Sequence, residues 1–354
     1  MAMSEKARNI SAGGSNFVAI TMGCPVGIGP EIILRFLAKR KFPRQYMPVV
    51  VGDIGVLQRC ARELQLSMKI IAWQPGSSID TGKIHVIEPQ GSAGYALEPE
   101  SLRWGIPSRE TGEAAAAYIT EAVRLITRGD LAALVTCPIA KHAMKMAGYD
   151  FPGHTEMLAS LCKTRNFGMM MAGSRLRVSL VTIHRPLAKV AAELNRAEIK
   201  RIINLTGETL IRDFGMMKPR IAVAGFNPHG GEAGLFGAEE RTVIEPAVTG
   251  ALSEKWELAG PLPPDTVFKM AFDRRYDAVV AMYHDQGLIP FKLVHFDDGV
   301  NLTMGLPIIR TSVDHGTAYD IAGKGIANDS SLEAAFQMAT EIIANREKNV
   351  MTGH

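Results

Sequence analysis

The sequence lacks the marks of several protein classes. It has four cysteines, Cys24, Cys60, Cys137 and Cys162, and no Cys-x-x-Cys pair, so neither a disulfide framework nor a thiolate zinc site is indicated. No apolar run approaches the roughly 18 residues that a membrane span requires. The opening stretch, MAMSEKARNISAGGSN, has no apolar core of the kind a secretory signal carries and reads as a polar arm. Charge of one sign is not in excess: 39 Lys and Arg face 36 Asp and Glu, a net +3 over 354 residues. That is too little to indicate nucleic acid as a partner. The Gly-x-Gly-x-x-Gly dinucleotide fingerprint and the Walker phosphate loop are also missing. What remains, 47% hydrophobic and 21% charged, is the balance of a soluble globular protein, expected to be cytoplasmic and long enough for about two domains.

Short apolar runs bounded by Gly, Pro, Asp or Asn recur at 17–22, 47–53, 131–136, 176–182, 220–226 and 277–282. Their length and boundaries favour buried strands. Helical patterns lie between them. Residues 113–128 place Tyr118, Ala122, Leu125 and Ile126 on one face and stop at Gly129; 197–213 and 331–347 behave similarly. The last opens after Asp329 and Ser330, with Glu333 placed for a cap. Alternation of this kind predicts parallel sheet covered by helices, the α/β class. The stretch 73–110, rich in Pro, Gly and Ser, is the most irregular.

Three later strands run straight into polar clusters that carry His184, His229 and His284. Ligand crevices of open α/β sheets lie at the carboxyl ends of strands, so three imidazoles arriving there are candidate ligands of one divalent metal. The bland alternative is three loop histidines with ordinary hydrogen bonds. His85, His142, His295 and His354 have no such context and read as structural or exposed. His154 and Thr155 stand where a helix should begin, and a helix start attracts anions. Lys292, Asn301 and Arg310 follow within an apolar, Gly-rich stretch; together these five read as an anion pocket, with Arg supplying a bidentate fork and Lys a point charge. Two Gly-rich segments complete the inventory: Gly27-Ile28-Gly29-Pro30-Glu31 and the small-residue loop 314–328.

In order along the chain stand GIGPE (27–31), FPGHTE (151–156), LVTIHRPL (180–187), NPHGGEAGLFG (227–237), GPLPPDT (260–266), AMYHDQG (281–287) and GVNLTMGLPIIRTSVDHGTAYDIAGKG (299–325). With these blocks the sequence resembles the PdxA family, the 4-hydroxythreonine-4-phosphate dehydrogenases of pyridoxal phosphate biosynthesis, from Phe17 to about Ala344. The resemblance implies two α/β/α domains with an interdomain cleft, like isocitrate and isopropylmalate dehydrogenases. It divides the chain into a discontinuous NAD-binding domain, 1–150 plus 300–354, and a metal, substrate and dimerisation domain, 151–299. It implies metal ligands at His184, His229 and His284, and substrate contacts at His154, Thr155, Lys292, Asn301 and Arg310. It further implies a homodimer with a shared active site, into which Asp265 reaches from the neighbouring subunit. The pair His315 and Asn328, with Gly316, matches the adenine-contacting loop of the wider group, which places NAD (or NADP) there. Cys24 departs from the family, which usually carries an acidic residue in that turn, and Cys137 stands where a small residue is more usual.

The implied reaction is metal-dependent oxidation of a phosphorylated hydroxy acid by NAD, with decarboxylation of the β-keto product. Zinc, cobalt, magnesium and manganese all suit the ligand set, and Lys292 is a candidate proton acceptor beside water. Within the family the alternatives are a 4-phospho-D-threonate or D-erythronate dehydrogenase and, last, a cis-dihydrodiol dehydrogenase. Outside it stand a three-histidine metallohydrolase of phosphate esters and a non-catalytic binding protein. Neither nucleic acid nor membrane is an expected partner.

Overall fold

The computed structural model describes residues 16–39, 42–43, 45–89 and 97–352; the polar arm as far as Ser15, and His354, lie outside the described residues. The strands, in chain order, are β1 (Phe17–Thr21), β2 (Met47–Val51), β3 (Lys69–Ala72), β4 (Lys83–Ile87), β5 (Ala133–Thr136), β6 (Gly168–Ala172), β7 (Arg177–Leu180), β8 (Arg220–Ala224), β9 (Glu257–Leu262), β10 (Ala278–Ala281), β11 (Val300–Met304) and β12 (Ile309–Val313). The helices are α1 (Gly29–Lys39), α2 (Ile54–Glu63), α3 (Arg109–Arg128), α4 (Lys141–Met146), α5 (His154–Leu161), α6 (Leu187–Glu193), α7 (Arg196–Arg212), α8 (Glu245–Gly250), α9 (Pro264–Phe272), α10 (His284–Val294) and α11 (Ser330–Thr352). Each run expected to be a strand is one, shortened at its ends. The fold is α/β, and no helix among the described residues is long and apolar enough to cross a membrane.

The chain forms two compact units. One holds residues up to Arg165 together with Leu306–Ile343; the other holds Asn166–Gly305 and the residues from Ala344 on. The first unit keeps the expected parallel sheet, in the order β3-β4-β2-β1-β5-β12. Its central strands carry side chains that are buried on both faces, which is why they read as unbroken apolar runs. Helix α3 begins four residues earlier than its apolar pattern, because Ser108 and Thr111 form a capping box. It ends at Gly129 in the left-handed region (φ 84°), which glycine adopts without strain. The buried Tyr118, Ile119, Leu125 and Ile126 of α3 contribute about 1.5–3 kcal/mol each by leaving water.

The second unit departs from the parallel expectation. Its strand order is β11-β6-β7-β10-β8-β9, with β6 antiparallel to both β7 and β11 and the remaining pairs parallel. The reason is local: only Gly173–Leu176 separate β6 from β7, too short for a parallel crossover. Its core gathers Val178, Leu180, Ala222, Val267, Val279 and Phe291.

The unit limits differ from those expected at 150 and 300. Helix α5 packs on α3, so His154 and Thr155 belong to the first unit, not to the second as the expected boundary had it. Strand β11 pairs with β6, which moves Asn301 into the second unit. The end of α11 also belongs there. Arg346 Nε lies 2.7 Å from Asp213 Oδ1, and Asn345 donates to the Asp213 carbonyl at 2.9 Å. Asp213 is buried, and its bonds to Arg212 and Arg346 outweigh desolvation, holding its carboxyl below the ordinary range.

Candidate functional site

In the first unit Arg310 lies on β12, opposite Leu134 of β5, and is only 2% exposed. Its Nε and Nη2 donate to Thr136 Oγ1 at 3.1 and 2.7 Å. Burial lowers its pKa to about 9, against a small opposing pull from Glu156, so it stays charged at neutral pH. Helix α5 begins at His154 after Gly153, which supplies no side-chain cap. Thr155 is buried. His154 has a buried Nε2 with no hydrogen-bond partner. Desolvation first, then repulsion from Arg310 and Lys141, hold its imidazole well below the usual pKa, and hence neutral. A buried guanidinium, an uncapped helix start and an unsatisfied imidazole nitrogen are groups suited to receiving an anion.

The small-residue loop 314–328 is held by α1. Glu31, buried, accepts from Ala327 N at 2.7 Å and Gly325 N at 3.2 Å. Arg35 donates to the Gly325 carbonyl at 2.6 Å, and Lys39 pairs with Asp329 at 2.6 Å. Spaced four apart, these three side chains share one helix face. The GIGPE block thus acts as a fastener. Gly29 is required there, since a Cβ would stand 2.1 Å from the Met22 carbonyl oxygen. His315 Nδ1 lies 3.1 Å from the Gly316 carbonyl, and a Cβ on Gly316 would meet nothing within 4 Å. Asn328 Oδ1 accepts from Ser330 N at 3.0 Å, just ahead of α11.

In the second unit the three histidines follow the carboxyl ends of the adjacent parallel strands β7, β10 and β8. His184 and His284 come together, with ring centres 5.7 Å apart. Two imidazoles on one ion, at about 2.1 Å each, require roughly this spacing. Asp285 Oδ1 lies 2.6 Å from His284 Nδ1. A carboxylate there fixes the tautomer that leaves Nε2 open to a cation. His229 is not with this pair; its ring lies 6.1 Å from Phe236. Among the described residues no group of three or more His, Cys, Asp or Glu is placed to hold a metal ion. Of the three expected ligands, His184 and His284 are brought side by side, and His229 does not join them in a three-residue group.

The position of His229 has a local cause. Residues His229–Ala233 form a left-handed turn, with φ between 42° and 78°. For the non-glycine members His229, Glu232 and Ala233 this costs about 1–2 kcal/mol each. Buried Glu240 anchors the approach by accepting from Phe226 N and Asn227 N, both at 2.7 Å. Gln286 bridges the exits of β10 and β8, accepting from Met282 N at 2.7 Å and donating to the Gly225 carbonyl at 2.6 Å. Lys292 is half-buried on α10, two turns after His284. Asn301, on β11 opposite Met171, keeps a buried Oδ1 without a hydrogen-bond partner. Asp265 is exposed in the first turn of α9.

Residues 44–339 match the family model of the pyridoxal phosphate biosynthetic protein PdxA. The chain belongs to the PdxA family. It is 51% identical over 324 residues to the 4-hydroxythreonine-4-phosphate dehydrogenase of Desulforapulum autotrophicum, covering 91% of this chain and 94% of that one. It is 42% identical to the D-threonate 4-phosphate dehydrogenase of Salmonella typhimurium, covering 92% and 98%. The crystal structure of 4-hydroxythreonine-4-phosphate dehydrogenase from Klebsiella pneumoniae has a TM-score of 0.84 at 40% identity, covering 93% of this chain and 100% of that one. This PdxA-family chain is accordingly a dehydrogenase.

The Cys24 departure is packed rather than exposed. Cys24 is 1% exposed beside Val26, Ala140 and Ala143, and its Sγ lies 3.5 Å from Tyr319 Oη. Burial raises both its thiol pKa and that of Cys137, so both are uncharged. Several site residues of this PdxA-family chain escaped the sequence reading: Thr136, Lys141, Glu240, Asp285 and Gln286. Thr136 and Lys141 did carry a signal, since both stand at the exit of the run 131–136.

His154 also sets a pH dependence. An unfolded histidine protonates near pH 6.5, whereas folded His154 resists protonation. The unfolded chain then binds the extra proton, so this contribution falls as pH drops from about 7.5 to about 5.5. Urea melts should show stability falling over that interval, with a shallower fall for His154→Asn. Equal slopes would contradict the assignment.

Proposed function

We propose that the chain oxidises the hydroxyl of a phosphorylated 3-hydroxy acid with NAD (or NADP) as hydride acceptor, and that 4-hydroxythreonine 4-phosphate is that substrate. The observation that carries this reading is the anion receptor around buried Arg310, which a substrate without phosphate would leave unused. D-threonate 4-phosphate is the second reading, favoured by the 42% identical relative of that name.

Arg310, the start of α5 with His154 and Thr155, Lys292 and Asn301 would bind and orient the substrate's anionic and polar ends. Orientation matters most, because hydride transfer needs a near-attack geometry. His184 and His284, with His229, would hold a divalent cation (zinc, cobalt, magnesium or manganese), which supplies Lewis acidity at the hydroxyl. Bound NAD or NADP would supply the acceptor for the hydride of the carbinol carbon, and Lys292 is the candidate base for the hydroxyl proton. The β-keto acid so formed loses carbon dioxide by cleavage of its carboxyl C–C bond. The loop at His315, Gly316 and Asn328, braced by Glu31, would take the adenosine end of the cofactor.

A homodimer with a shared active site is part of the proposal. Exposed Ile289, Leu293 and Phe296 (68%, 87% and 76%) line α10 and the residues just after it, and such patches mark interaction surfaces. In the dimer, His229 of the partner subunit would complete the His184–His284 pair, and Asp265 would come from the same side. Unpaired cysteines throughout support a cytoplasmic location. The test is to supply protein, NAD, divalent metal and 4-hydroxythreonine 4-phosphate and to follow NADH and inorganic phosphate together. NADH formation is expected; phosphate release without NADH would replace this reading with a phosphate-ester hydrolase.

A further inference from the structure

We propose that Lys141 is a further ligand of the substrate's phosphate, binding beside Arg310 and the start of α5; this rests on the reading above that the substrate is phosphorylated. Lys141 opens α4, five residues past the end of β5. A Cβ built on Gly153 would lie 3.7 Å from its Cε and 4.0 Å from its Nζ. The ammonium therefore stands over the residue that precedes α5. Lys145 on the same helix is paired with Asp150, whereas no ion pair or hydrogen bond holds Lys141 among the described residues.

The groups around this point do not balance. Arg310 from β12 and Lys141 from α4 both bear on His154, and Glu156 of α5 is the acid that faces Arg310. Glu156 Oε2 also lies 3.5 Å from the Cβ position on Gly153. Like charges brought this close, Arg310, Lys141 and the positive end of α5, repel one another. An arriving dianion relieves that repulsion more than a carboxylate of single charge does. His154 Nε2, buried and unsatisfied, gives the second, independent sign of a missing ligand. The chemistry divides sensibly: Arg310 offers a fixed fork from within the sheet, and Lys141 a mobile point charge from the rim.

The experiment compares Lys141→Met and Lys141→Arg with the unmodified protein on the phosphorylated substrate and on its dephosphorylated analogue. Losing one charge-assisted hydrogen bond is expected to raise KM for the phosphorylated substrate by about 10–100-fold, with kcat changed by less than about threefold. Discrimination against the dephosphorylated analogue should fall by the same factor, and Lys141→Arg should recover most of it. KM of Lys141→Met within about twofold of the unmodified protein, or parallel losses on both substrates, would overturn the assignment. If the unmodified protein oxidises no phosphorylated substrate, the reading above fails, and calorimetry with inorganic phosphate decides this one. Weaker binding to Lys141→Met by about tenfold or more supports it, and equal binding overturns it.

Discussion

Replacing Arg310 with methionine is expected to lower kcat/KM for a phosphorylated hydroxy acid by about a hundredfold to ten-thousandfold, without loss of the fold. The two effects separate because Arg310 is a cation held inside the sheet, where desolvation opposes its charge. Its guanidinium is withdrawn from water and bonded to the neutral Thr136 hydroxyl, and desolvation pulls its pKa to about 9. Taking a guanidinium out of water is costly, and an apolar side chain of similar volume removes that cost, which offsets the lost bonds to Thr136. For a dianionic ligand the same guanidinium supplies a preorganised, water-excluded partner, where electrostatic attraction is strongest. Thermal melts and initial rates on one preparation check this. An unchanged or higher Tm beside a large fall in kcat/KM is expected. A kcat/KM within tenfold of the unmodified protein would remove Arg310 from the binding machinery.

Replacing His284 with alanine is expected to cost about a hundredfold or more in metal affinity, and turnover with it. The loss exceeds the roughly 10–100-fold expected for Asp285→Asn, which removes only the carboxylate that orients the ring. Metal content after dialysis, read by elemental analysis, checks both variants without reference to activity. The separation of His229 from the His184–His284 pair sharpens the test. If the third ligand comes from a second copy, His229→Ala and His284→Ala subunits are each inactive alone. Mixed by unfolding and refolding together, they should regain about a quarter of full activity, because half the dimers are mixed and carry one intact site each. No recovery would place all three ligands in one chain.

The two units were legible to different degrees. Strands β1, β2, β5, β8 and β10 announced themselves as apolar runs closed by Gly, Asp or Asn, because burial on both faces removes polar residues from the strand itself. Strand β6, GMMMA, did not: its methionines fit a helix as readily as a strand, and only pairing with β7 and β11 decides between them. Boundaries failed for the same reason. Whether α5 or β11 belongs to one unit or the other depends on what it packs against, which no local pattern encodes. Of the site, the histidine pair could be read from its position after strands, His154 from a helix start and Arg310 from its apolar, Gly-rich surroundings. Glu31 could not be given a role, since it holds a loop far away in sequence. The extent of the left-handed turn at His229–Ala233 was hidden too, because glutamate and alanine give no warning of positive φ.

The most direct measurement follows NADH formation from 4-hydroxythreonine 4-phosphate and from D-threonate 4-phosphate, on protein stripped of metal by a chelator and again after a divalent cation is restored. Oxidation of at least one of them, absent after stripping and recovered with the cation, is the expected result. NADH formation that survives complete removal of the metal, or oxidation of neither compound by the restored protein, would contradict it.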